Sequence, residues 1–132
     1  MVKPKAIVFD LLTALLDSWT TWDTAAGSAE AGRRWRHRYL DITFGCGAYR
    51  PYEDLVAQSA REAGLSSGAP TALLREWDSL TPWPEVVSTL KDLKSRGFLL
   101  GVITNCSREL GHRAAGRVGV EFDAVLTAEE AG

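Results

Sequence analysis

The chain has 132 residues, 45% of them hydrophobic and 24% charged, with a net charge of −2. That is room for one domain with a real core rather than two, and the slight acidity gives no general pull toward nucleic acid or an anionic membrane. No apolar run approaches the roughly 18 residues of a membrane span, the first run is too short for a secretory signal, and two cysteines without metal-ligand spacing read as free thiols of a cytoplasmic protein.

The first predicted element is a short buried strand over 5–9 that stops at Asp10. Burying a charge is expensive, so a carboxylate in that place sits at a sheet edge, caps a helix or does chemistry. The stretch 17–80 then reads as helical and carries Trp19, Trp22, Trp35 and Trp77, with Trp83 just past its end. Residues 28–43 make one helix with Trp35, Tyr39 and Ile42 on a single stripe. Pro51 opens a second, carrying Leu55, Val56, Ala60 and Ala63 up to Gly64. After a loop over 66–70, Leu73, Leu74, Trp77 and Leu80 mark a third.

From Thr81 onward the pattern is regular. Pro84 suits a first helical position, Val86, Val87, Leu90 and Leu93 recur at helical spacing, and Gly97 ends the helix. Residues 98–103 form the second strand and lead into Thr104 and Asn105; Asn105 or Ser107 caps a helix over 108–118, and 122–126 is a third strand. This alternation predicts an α/β fold, a parallel sheet with right-handed crossovers. Two strands that end in polar groups place a site at its carboxyl edge, and a helical insert after the first strand has the size of a lid.

Asp10, the Trp-rich insert and Thr104, in that order, resemble the haloacid dehalogenase superfamily of hydrolases over essentially the whole chain, and Phe122 to Glu130 is similar to its third strand and following turn. The resemblance implies a three-layer Rossmann-like core, partial here and incomplete at the C-terminus, over 1–16 and 81–132, with an α-helical cap over 17–80. Position 12 points to the branch. Phosphatases of the superfamily carry a second Asp there to protonate the leaving alkoxide, and this chain has Leu12, which transfers no proton. A halide needs none. Trp35-Arg36-His37-Arg38-Tyr39-Leu40-Asp41 also looks like the cap motif of the 2-haloacid dehalogenases, Trp-Arg-x-basic-x-Leu-acidic.

By that resemblance Asp10 attacks C2 of a short 2-haloacid to form an ester that water hydrolyses. Arg36 receives the halide or holds the substrate carboxylate. Thr104 and Asn105 bind the carboxylate, helped by the helix N-terminus that follows. Leu11, Leu12, Trp19, Trp35 and Cys106 are expected to contact substrate, and dehalogenation requires no metal or other cofactor. The alternatives are a small-molecule phosphatase, with magnesium held at Asp10, and an inactive form whose open sheet edge pairs with a second copy as a homodimer.

Each of these residues also has a plainer reading. Asp10 can simply end a strand, and Thr104 and Asn105 can simply cap a helix. Arg33, Arg34, Arg36, His37 and Arg38 look like a nucleic-acid patch, but on a helix they split between faces, which favours a solvated surface with one functional Arg. His37 and His112 read as surface residues. Cys106 has no His placed to activate it as a nucleophile, and the tryptophans fit the core of the cap better than a pocket wall.

The chain departs from the family pattern in two places. Thr13-Ala14 stands where the family has Gly-Thr, which implies a different turn or local strain. The family also has a lysine beyond the third strand that pairs with the nucleophile; Lys91 and Lys94 lie on an earlier helix and cannot replace it. The expectation is a longer enzyme, on the order of 200 residues, of which this is a truncated form.

Overall fold

The computed structural model describes residues 5–132, so the first four residues of the segment expected over 1–16 lie outside it. Ala6–Asp10 forms β1. Asp17 caps the next element, α1 (Ser18–Ala26), by accepting from the Thr20 amide at 3.1 Å and its hydroxyl at 2.7 Å. Ser28 does the same for α2 (Ala29–Phe44), accepting from the Ala31 amide. The two helices approach closely at Gly32, where any Cβ would run into the backbone and carboxylate of Asp23.

Pro51 leads into α3 (Tyr52–Glu62), which has Glu53 and Asp54 in its first turn and Arg61 in its last, matching the helix dipole. The third helix expected from Leu73 to Leu80 is two pieces, α4 (Ala69–Arg75) and a 3-10 turn over Trp77–Ser79. The break turns Trp77 into the core, where its indole donates to the Leu110 carbonyl at 2.9 Å. Then follow α5 (Val86–Ser95), β2 (Leu99–Thr104), α6 (Arg108–Gly116), β3 (Ala124–Thr127) and α7 (Ala128–Ala131).

The fold is α/β, with a three-stranded parallel sheet in the order β1-β2-β3 and a helical insert between β1 and α5. Register runs from Ala6 opposite Leu99 to Asp10 opposite Ile103, so Asp10 and Thr104 finish at the same sheet edge. The chain enters and leaves the insert through one antiparallel contact: Leu16 bridges Pro82, and the Asp17 amide donates to the Thr81 carbonyl at 2.8 Å.

As expected of an incomplete core, the described residues cover one face of the sheet and leave the other open. Alternate strand residues point to opposite faces. Leu100 and Val102 enter the core with Val86 and Leu90 of α5 and Leu110 and Ala114 of α6, and Ile7 and Phe9 pack against it. On the other face Val8 is 58% exposed, Leu99 and Ile103 53%. The expectation of a buried first strand is therefore not met: Ile7 and Phe9 are only partly buried, and the other face is exposed. Among the described residues no helix is long and apolar enough to cross a membrane.

Candidate active site

A cleft of about 230 Å³ opens where the carboxyl ends of β1 and β2 meet the insert. Asp10, Leu12, Thr13, Thr104 and Asn105 form its sheet side. Ser18, Trp19 and Trp22 of α1, Arg36, Tyr39 and Leu40 of α2, and Tyr52 of α3 form the facing wall.

Asp10 is exposed at the end of its strand, and the Thr13 hydroxyl donates to its Oδ2 at 3.4 Å. The turn that presents them is closed by the Leu15 and Leu16 amides, both donating to the Leu11 carbonyl. No non-glycine residue among those described has a positive φ, so Thr13 stands without backbone strain where the resemblance expects a glycine. Thr104 is buried and Asn105 exposed. Behind them α6 lies hard against the strand ends, since a Cβ at Gly111 would meet the methyls of Thr127 and Thr104. Neither expected side-chain cap of α6 forms. Ser107 holds the N-cap position, but its hydroxyl donates to Glu53 of α3 at 2.7 Å.

Arg36 supplies the cationic wall. It is 6% exposed, with its guanidinium carbon 3.6 Å from the centroid of the Trp19 ring. Its nearest carboxylate oxygen is Asp23 Oδ1, at 3.5 Å from Nη2. Nε, Nη1 and Nη2 are all buried without a hydrogen-bond partner. Burial lowers the pKa of this guanidinium and Asp23 pulls it back up. A desolvated cation with unused donors is an anion site in chemical character.

Six of the nine residues singled out from the sequence reach this cleft: Asp10, Leu12, Trp19, Arg36, Thr104 and Asn105. Leu11, Trp35 and Cys106 do not, because each is fully buried in the core. Leu11 follows Asp10 by one residue and turns the opposite way. Trp35 faces α3, where its indole donates to the Val56 carbonyl and the Ser59 hydroxyl. Burial pushes the Cys106 thiol up to about 12, so it is an inert core residue. Sequence reasoning missed Thr13, Ser18, Trp22, Tyr39, Leu40 and Tyr52 as wall residues. Tyr39 and Leu40 follow Arg36 by three and four positions and were there to be found on its stripe. Tyr52 is delivered by tertiary packing, with no local signal.

Among the described residues no group of three or more His, Cys, Asp or Glu side chains is placed to hold a metal ion. Asp10 is the carboxylate on the cleft wall.

No family model matches the chain. It is similar to the haloacetate dehalogenase H-2 of Moraxella sp. (strain B), 26% identical across 99% of the chain and 66% of that protein. A shorter stretch of 55 residues is 44% identical to the glyceraldehyde 3-phosphate phosphatase of Methanothermobacter thermautotrophicus, covering 40% of the chain and 24% of that enzyme. The fold superposes on a crystal structure of an L-2-haloacid dehalogenase with a TM-score of 0.81 and 26% identity, over 97% of this chain and 65% of that one. The chain thus spans just under two thirds of the dehalogenases that it matches along its whole length.

Proposed function

We propose, for a chain that belongs to the haloacid dehalogenase superfamily, hydrolysis of short 2-haloacids with Asp10 as the nucleophile. One observation carries this reading: the Asp10 carboxylate and the buried, incompletely paired Arg36 guanidinium are walls of one small cleft.

An Asp10 oxygen attacks C2 of the haloacid; the C–O bond forms as the carbon–halogen bond breaks, and the halide leaves with the bonding pair. In-line displacement puts the halide opposite the nucleophile, toward the insert, where Arg36 stabilises it. The Thr104 hydroxyl and the Asn105 amide hold the substrate carboxylate. Water then adds to the Asp10 acyl carbon and expels the 2-hydroxyacid. Asp10 is regenerated, and one proton and one halide are released per turnover. The apolar wall of Leu12, Trp19, Trp22 and Leu40 keeps bulk water from the first step.

The test is halide release from L-2-chloropropionate. Chloride and a 2-hydroxyacid appear with the parent chain and are absent with Asp10→Asn. The matched stretch of the phosphatase favours a second reading, in which magnesium is held by Asp10 and substrate phosphate. That reaction lacks a general acid at Leu12. Magnesium-dependent phosphate release from glyceraldehyde 3-phosphate, abolished by a chelator and unaccompanied by any halide release, would replace the dehalogenase reading.

A further inference from the structure

We propose that Tyr52 is a second, neutral donor to the departing halide, contacting it beside Arg36 and tuning which halide the cleft accepts; this rests on the dehalogenase reading of the cleft. Tyr52 is 1% exposed and its hydroxyl has no hydrogen-bond partner. Buried hydroxyls are nearly always bonded, so an orphaned one is a strain that a ligand relieves. Tyr52 shares the cleft wall with Arg36, the other side chain there whose buried donors are unused. Asp23 Oδ1 and Thr43 Oγ1 also lack a hydrogen-bond partner, but neither residue is part of this wall.

The ring is also held in place. It packs edge-on between Tyr39 and Trp77, with centroids 5.5 and 5.6 Å away, which fixes the ring against the cleft wall. Burial raises the phenol well above its usual range, while the nearby Arg36 charge opposes this more weakly. Tyr52 therefore stays protonated during displacement. It donates a hydrogen bond and keeps its proton, while the halide carries off the bonding pair. A guanidinium alone attracts any anion. A fixed hydroxyl adds direction, and favours halides that accept hydrogen bonds strongly.

The experiment is a bromide titration of the parent chain and Tyr52→Phe, followed by tryptophan emission at constant ionic strength with sulfate as the balancing anion. Trp19, stacked on Arg36, is the reporter. Thermal midpoints are recorded on the same samples, and intact masses after incubation with L-2-chloropropionate. The expected result is about a tenfold loss of bromide affinity in Tyr52→Phe, the size of one hydrogen bond to a charged partner. Its midpoint should be unchanged or higher, because the substitution removes an orphaned polar group. An unchanged affinity, or a midpoint below the parent's, overturns the proposal, the latter by giving the hydroxyl a structural partner. A parent chain that is alkylated at Asp10 yet binds no bromide overturns it while leaving the dehalogenase reading intact. A parent chain that binds no bromide, gains no mass and releases no chloride removes both.

Discussion

Arg36 is kept in the wall of the cleft by the Trp19 ring rather than by a hydrogen-bonded carboxylate. Its charge is desolvated and incompletely paired, a state that serves binding and not stability. Replacing it with Met, of similar length and apolar, should leave the melting temperature unchanged or raise it, by up to about 2 kcal/mol of stability. The same change should abolish halide release. A large loss of stability would mean that the pair with Asp23 is structural. The two thiols give a second test at this scale. Cys106 is fully buried with its pKa pushed up to about 12, and Cys46 is half-buried. A maleimide at neutral pH should label Cys46 in the native protein and reach Cys106 only after unfolding; fast native labelling of Cys106 would contradict its place in the core. Adjacent residues thus part company here: Asp10 from Leu11, Arg36 from Trp35, Asn105 from Cys106. The sequence motif identified the right neighbourhoods, but one step along a strand or helix reverses or rotates a side chain, and that phase is set by packing.

At the scale of elements, exposed ion pairs brace the insert within itself at Arg38–Glu62, the last helices at His112–Glu130, and the join between them at Arg113–Asp78. Hydrogen bonding from Arg38 holds the Glu62 carboxyl below its usual 4.5, and Arg113 does the same for Asp78, usually 3.8. Thr127 first, then His112, lowers Glu130, usually 4.5. Groups with depressed folded values contribute fully above their unfolded values and lose that contribution as pH falls through the folded ones. The melting temperature should therefore be flat above about pH 5 and fall below about pH 4.5. In Arg113→Met, which frees Asp78, that acid loss should be shallower. An unaltered slope would mean that the Asp78–Arg113 pair, at 2.9 Å, contributes nothing in solution. Among the helices, α2 and α3 were legible because their apolar stripes and their openings at Ser28 and Pro51 agree. The break after α4 was not, because the Leu110 carbonyl that Trp77 turns to meet lies in a later helix.

In the whole molecule, the order of strands, insert and longer helices could be read from the sequence, since each strand ends at a polar residue and those helices have apolar stripes; α1 and α7 could not, because α1 buries Trp22 as its one large apolar side chain and α7 buries none. The open sheet face could not, because Val8, Leu99 and Ile103 have the composition of core residues. An exposed apolar sheet face is adhesive. The chain alone should sediment with a mass that rises with concentration, and Leu99→Lys should reduce that rise. A concentration-independent monomer would contradict it.

The account turns on Asp10 as a carbon-attacking nucleophile. The most direct measurement is intact mass, followed by peptide mapping, after incubating the parent chain and Asp10→Asn with L-2-chloropropionate. The prediction is an added propionate group mapped to Asp10, present in the parent alone. A folded parent chain that gains no mass and releases no chloride, or an adduct mapped to any other residue, would contradict the assignment.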